Sequence, residues 1–334
     1  MTRTIASGIR RRIQRSRDER AAESSPLSSY FSWTEIRKDF IRNKWIYLMA
    51  LPVLGFYLLF HYVPMYGASI AFRDFSPVRG IMNSPWVGFV HFENFFGSVH
   101  AWRVIRNTFL LSFYSMVWGF PAPIIFALLL NEVGSPLYKR FSQTLSYLPH
   151  FISLVVACSL VVTFVSSQGL VNDIIAFFAG DDARRNLLMS SGNFRTIFIA
   201  SEIWQGIGFG SIIYLAAIAG LDQENYEAAT IDGAGRFKKC IHITIPGIMP
   251  TIVILLILRM GALMTVGFER VMLLYHPGIY ETSDVIATFV FRRGIMDADW
   301  SFSAAVGLFN SVINFAFVVS ANFIARRTSD TSLF

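Results

Sequence analysis

Six stretches of the chain run for about 20 residues with few or no charges, long enough for a helix to cross a bilayer. They fall near 45–65, 107–130, 145–165, 194–218, 248–268 and 302–324. The second is free of charge between Arg106 and Glu132, and the sixth from Trp300 to Ala325. Trp45, Tyr62 and Tyr66 sit at the ends of the first stretch, where aromatic rings anchor a helix at the interface. The pattern predicts an all-α polytopic membrane protein with six transmembrane helices. Composition agrees: 54% of the 334 residues are hydrophobic, 15% are charged, and mean hydropathy is +0.48. The two cysteines, Cys158 and Cys240, suggest no disulfide framework.

Charge then orients the spans. Residues 1–44 hold 11 Lys/Arg against 5 Asp/Glu, nearly the whole net charge of +7. This basic segment is polar, Ser-rich and without apolar periodicity, so it is expected to be disordered to about Ser32. A nucleic-acid arm is one reading of its charge; a positive-inside signal touching anionic lipid is the simpler one. The first apolar run begins only at Trp45 and is too long for a cleavable signal. Both termini are therefore expected in the cytoplasm, with Arg326 and Arg327 after the last span. The segments 66–106, 166–193 and 269–301 go outside, although Arg184-Arg185 and Arg292-Arg293 run against the charge rule. The expected organisation is a first span with its outer loop over 45–104, a five-span core over 105–327, and a tail over 328–334.

The polar connection 222–247 has more furniture than a loop requires. Asp222 can cap a short helix over Gln223–Thr230, placing Glu227, Ala228 and Ala229 on it. Asp232 offers a second cap before Gly233-Ala234-Gly235, where the chain can turn. A second short helix over Phe237–Ile241 would then be closed by Pro246. Two angled helices on the membrane surface would make a rigid plug, while an ordinary amphipathic interfacial loop is the alternative.

The spacing resembles the EAA loop of permease subunits of ATP-binding-cassette importers: E-A-A, three residues, G, nine residues, I, one residue, L-P. Here it reads Glu227-Ala228-Ala229, Gly233, Ile243 and Ile245-Pro246, with Ile in place of Leu. Asp232-Gly233-Ala234 matches the D-G-A of sugar importers, whereas Cys240 stands where an aromatic is usual. From Trp45 onward, stretches such as "YLPHFIS", "IWQGIGFGSIIYLAAIAG" and "AVGLFNSVIN" look like the polysaccharide and oligosaccharide permeases. That group takes in the first permease subunit of alginate importers. The resemblance implies the type I importer transmembrane-domain fold and a bacterial cytoplasmic-membrane location. It implies that Glu227, Ala228, Ala229, Asp232, Gly233, Ala234 and Pro246 couple the chain to an ATPase. It also implies four kinds of partner: a second, non-identical permease subunit, two ATPase subunits, an extracytoplasmic solute-binding protein and a sugar. No cofactor is expected on this chain; ATP and magnesium belong to the partner ATPase. None of the five lysines follows a glycine, so no phosphate-binding loop is present.

Polar side chains within spans are costly in lipid and mark interiors or cavities. Glu202 and Gln205 lie in span four beside Trp204, and Arg259 lies in span five. Glu202 sits about 12 Å from Phe194 along the helix and Arg259 about 16 Å from Ile248, depths at which the two could pair. Ser303, Gly307, Asn310, Ser311 and Asn314 share one face of span six. That face suits a hydroxyl-rich sugar and equally suits helix packing. Glu202, Trp204, Gln205, Arg259, Asn310 and Asn314 are the candidates for a substrate path, although Trp204 also reads as plain packing. Gly206, Gly208 and Gly210 lie within a span with no preceding strand, which favours close packing of Gly206 and Gly210 over a nucleotide site. The six histidines form no H-E-x-x-H, and spans five and six hold no histidine, which argues against an intramembrane enzyme. Another solute class stays open, and a polyanion would want more cationic lining than Arg259 alone supplies.

Overall fold

The computed structural model describes residues 33–328. The predicted disorder of 1–32 and most of the tail lie outside them. The described chain is helical, with six helices long and apolar enough to cross a membrane. It divides into two units, residues 1–67 and 68–334.

In the first unit, α1 (Trp33–Arg42) leads through Asn43 into α2 (Lys44–Tyr57). Asp39 ties them: it accepts from Asn43 at 2.7 Å and from the Tyr47 hydroxyl at 2.8 Å. The Tyr47 hydrogen bond does most to hold the Asp39 carboxyl below its ordinary value. No residue of α2 is buried within its own unit, and the helix continues as a π turn over Leu58–Tyr62.

The second unit begins with outer turns and α3 (Val90–Phe96). The second span is α4 (Ala101–Tyr114), a π turn over Ser115–Gly119 and α5 (Pro121–Glu132), with Pro121 at the start of α5 where its missing N–H costs nothing. The third apolar stretch is not the single helix over 145–165 that the pattern predicts. Instead, α6 (Pro136–Tyr147) gives way to a 3-10 turn over Leu148–Phe151. The Ser153 hydroxyl then caps a new helix, α7 (Leu154–Val165). α8 (Leu170–Ala179) follows across Gly169, where a Cβ would overlap the carbonyls of Thr163 and Phe164. The fourth span is one long helix, α9 (Ser191–Ala219), followed by α10 (Gln223–Ile231).

The fifth span departs most from expectation. Arg236–Lys239, a π turn over Cys240–Thr244 and α11 (Ile245–Gly261) run as one continuous helix. Pro246 therefore lies inside the first turn of α11 and stops nothing. The π turn just before it supplies the slack that a proline ring needs in a helix. At the far end the helix stops at Gly261, seven residues short of the predicted end, and residues 262–267 are irregular. They lead to α12 (Phe268–Leu274) and α13 (Ile286–Phe291), before the sixth span, α14 (Trp300–Thr328).

Lipid offers no hydrophobic gain for helix association, so contact rests on shape and small residues. A Cβ on Gly208 would overlap the Ser146 carbonyl of α6, and one on Gly210 would come within 3.1 Å of Pro123 of α5. The glycines at the packing contacts are therefore Gly208 and Gly210; Gly206 meets nothing within 4 Å. Two aromatic and aliphatic clusters close the outer half. One centres on Leu111, Phe194, Phe198 and Val271, the other on Phe95, Phe289, Phe302 and Val306.

Candidate functional site

Three spans meet at a ring of polar side chains. The Arg259 guanidinium donates to Glu202 Oε1 at 2.8 Å and to Ser115 Oγ at 2.5 Å. Ser115 in turn donates to Glu202 Oε2 at 2.6 Å, which closes the ring. Ser115 opens the π turn of the second span, a register that no periodic pattern in the sequence signals. The Glu202–Arg259 pairing allowed by their depths is present.

The ring borders a cavity of about 480 Å³ between the second, fourth and fifth spans. Its far wall is the irregular segment 262–267, in line with the rule that non-helical backbone at membrane depth faces a cavity or protein. Asn314 of α14 holds that wall from behind: its amide oxygen accepts from Met264 N at 2.7 Å and its nitrogen donates to Thr265 Oγ1 at 3.1 Å.

Beyond the break, α12 returns a second arginine. Arg270 lines the same cavity and donates to Ser201 at 3.1 Å and to Gln205 Oε1 at 2.6 Å. Gln205 is held by its own bond to the Ile152 carbonyl at 3.1 Å. Glu202 and Glu269 also line the cavity, so its formal charges balance. The two arginines differ in their partners, since Arg259 faces a carboxylate while Arg270 is held by neutral groups. Arg270 escaped sequence reasoning because it lies outside every apolar run and reaches the site only through the broken helix.

The remaining candidates sit elsewhere. Trp204 is 39% exposed and lines neither this cavity nor the smaller one below it. Asn310 lines neither as well, and its amide oxygen is buried without a hydrogen-bond partner among the described residues. Ser303 donates to the Val290 carbonyl at 3.2 Å and Ser311 to the Gly307 carbonyl at 3.0 Å. The polar face of span six is thus largely occupied within the protein.

On the opposite side, the loop 222–247 is a compact unit. Asp222 caps α10, accepting from Glu224 N at 3.0 Å. Its exit is a Schellman motif: Ala234 N donates to Ala229 O at 2.8 Å and Gly233 N to Thr230 O at 3.1 Å. The motif needs a left-handed residue, and Gly233 has φ +75°. Asp232 is the C-cap of α10 and caps no second helix; Gly235 stands at the start of the next turn without a side-chain cap. The Tyr226 hydroxyl and Thr244 Oγ1 lie 2.9 Å apart, and Lys239 donates to Thr230 at 2.6 Å, pinning α10 to the fifth span. Glu227 and Ala228 are exposed, as are the large apolar side chains of Ile231 (87%) and Phe237 (78%).

A third polar assembly lies at the outer end. Asp284, fully buried, takes Arg292 at 2.7 Å and Arg103 at 3.1 Å, and accepts from Thr288 at 3.0 Å. Burial works against the Arg292 charge, yet the Asp284 carboxylate holds its pKa above the ordinary value. Asn107 donates to the Glu281 and Asp284 carbonyls at 2.9 and 3.0 Å and accepts from Arg195 at 3.0 Å. These bonds fasten the outer segment before α13 onto the second span.

Residues 119–330 match the family described as "Binding-protein-dependent transport system inner membrane component". Protein LplB of Bacillus subtilis (strain 168) is 42% identical over 304 residues, spanning 91% of this chain and 94% of LplB. The polygalacturonan/rhamnogalacturonan transport system permease protein YteP of the same organism is 41% identical over 295 residues, spanning 88% and 91%. A chain in the crystal structure of a bacterial ABC transporter involved in the import of the acidic polysaccharide alginate superposes with a TM-score of 0.82 at 42% identity. That match covers 89% of this chain and all of the other. A second structure of similar fit holds a bacterial alginate ABC transporter in complex with an alginate pentasaccharide-bound periplasmic protein.

Proposed function

We propose, from the premise that the chain belongs to the binding-protein-dependent transport system inner membrane components, that it carries an acidic oligosaccharide. The chain is a multi-pass, non-catalytic permease of an ATP-binding-cassette importer for saccharides, and ATP is hydrolysed on other subunits. One observation carries the finer reading: Arg270 faces the 480 Å³ cavity beside Arg259, and its hydrogen-bond partners among the described residues, Ser201 and Gln205, are neutral. A guanidinium fixed in that way offers its free donors to a carboxylate, the group that distinguishes a uronate from a neutral sugar. YteP is named for polygalacturonan, a uronate polymer, and the alginate transporter for an acidic one, which supports the same class here.

The test compares uptake of trigalacturonate and of its methyl ester by the complete importer in proteoliposomes. The acid is expected to be preferred, and Arg270→Gln to lower the acid-to-ester ratio about tenfold or more, the worth of one charge-assisted hydrogen bond. Equal uptake of acid and ester by the wild type would remove the acidic-substrate reading.

The partners follow from the same reading: a second permease subunit completing the path, two ATPase subunits on the cytoplasmic side and a solute-binding protein delivering substrate outside. The unit 222–247 is the piece that docks on an ATPase, with Glu227, Ala228, Ala229, Asp232, Gly233 and Ala234 shaping it and Pro246 set in its exit helix. Ile231 and Phe237, both largely exposed, are its apolar anchors. Ile231→Ser with Phe237→Ser is expected to weaken ATPase association about 30-fold or more, as loss of interface hot spots does. Co-purification with the ATPase at the wild-type level would count against this docking surface.

A further inference from the structure

Below the first cavity lies a second, of about 390 Å³, bounded by Gly119, Phe120, Gly206, Gly210, Tyr214 and Leu255. Among the described residues, only Glu202 and Arg259 border both. All three spans agree on the order. On α9 the outer cavity takes Phe198 and the inner one Gly206 and Gly210, with Glu202 between them. On the second span the outer cavity ends at Ser115 and the inner begins at Gly119. On the fifth, Leu255 lines the inner cavity and the segment beyond Arg259 the outer. The ion pair is therefore a partition across one route.

Its strength suits a partition that opens. The side chains of Arg259 and Glu202 are 44% and 28% exposed, and both residues border the two cavities. A pair exposed in this way is weak, unlike one sealed in a dry core. Among the described residues Arg259 is not tied elsewhere: its two partners are Glu202 and Ser115, and Ser115 itself is spent on Glu202.

We propose that Glu202–Arg259 is a gate between the two cavities, opened when a substrate carboxylate replaces Glu202 on Arg259. This rests on the acidic-substrate reading. The substrate shifts the gate only by its preference for the open state. A carboxylate has that preference because Arg259 becomes its partner as Glu202 lets go. An ester has none and must wait for spontaneous opening. Glu202 thereby acts as a stand-in for the substrate's own charge, and the pair as a filter for acidic saccharides.

The test uses the complete importer and the same acid and ester probes. Glu202→Gln removes the competing charge while keeping shape, so ester uptake is expected to rise about fivefold, the scale of a solvent-exposed pair, and the acid-to-ester ratio to fall with it. Ser115→Ala keeps both charges and loosens the ring; it is expected to shift the ratio in the same direction by about twofold. This second variant carries the test should the first fail to assemble. If both variants lower acid and ester in proportion, the pair is a structural tie and the gate is refuted. If the wild type shows no preference for the acid, the substrate reading fails and the gate falls with it. A wild-type preference that survives both variants unchanged refutes the gate alone.

Discussion

Gly233→Val is expected to leave the protein in the membrane and to abolish ATP-driven uptake. A Cβ at Gly233 meets nothing within 4 Å, so the substitution does not crowd the loop. Its cost lies in the backbone, because φ is +75° and a side chain there costs about 1–2 kcal/mol, with a β-branched one at the upper end. That penalty is small beside the packing of the five spans of the second unit. It is large beside the few bonds that shape the loop, chiefly Ala234 N to Ala229 O and Gly233 N to Thr230 O. The turn is expected to rearrange locally, carrying Ile231 and Phe237 off their positions. Gly233→Asn supplies the control, since asparagine tolerates the left-handed region. The measurement is uptake set against ATP hydrolysis in proteoliposomes. Hydrolysis without uptake for valine, with uptake largely kept for asparagine, is the expected pair; normal uptake by the valine variant would sink the coupling role of this loop.

The second large effect is expected at the outer end. Asp284→Asn keeps the shape of the buried carboxylate and removes its charge. It leaves Arg292 and Arg103, 2.7 and 3.1 Å away, facing a neutral group. Breaking a buried pair from one side costs about 3–5 kcal/mol, a large fraction of the roughly 5–15 kcal/mol that holds a domain folded. Both arginines retain some solvent, at 21% and 32% exposure, so the lower end of that range is the fair expectation. The readout is the amount of folded protein extracted from membranes and its thermal midpoint. Arg103→Gln, which removes the wetter partner and leaves Arg292 in place, is expected to cost clearly less. An Asp284→Asn protein of wild-type yield and midpoint would show that the outer segment is held by its apolar contacts instead.

Much of the fold is legible in the sequence because lipid imposes so simple a demand. A run of 20 apolar residues can do little but span, and four of the six stretches enter helices close to their expected bounds at one end or both. The third shows the limit, since Pro149 and Ser153 divide it and local chemistry outweighs hydropathy. The loop 222–247 is legible for a different reason, as caps and glycines act over a few residues. Its reading fails at Pro246, where a π turn absorbs a residue that ought to end a helix.

The site is harder to read than the fold. Glu202 and Arg259 stand out because charge in a span is conspicuous. Ser115 does not, since its approach to both depends on the extra residue of the π turn. Asn314 has the look of a cavity residue but spends its amide on Met264 and Thr265. Asp284 and Arg103 are 181 residues apart in the chain, a separation at which no local rule operates.

The unbroken run from Arg236 to Gly261 has a mechanical consequence. Phe237 stands on the cytoplasmic unit and Arg259 in the ion pair, about 33 Å apart along one continuous helix that carries the π turn, Pro246 and Pro250 between them. Over that length a tilt of about 5° sweeps the far end through about 3 Å. The bond from Arg259 to Glu202 is 2.8 Å long, so a swing of that size is enough to separate the two side chains. Where it moves as one piece, the fifth span turns a small tilt into a displacement the length of a hydrogen bond.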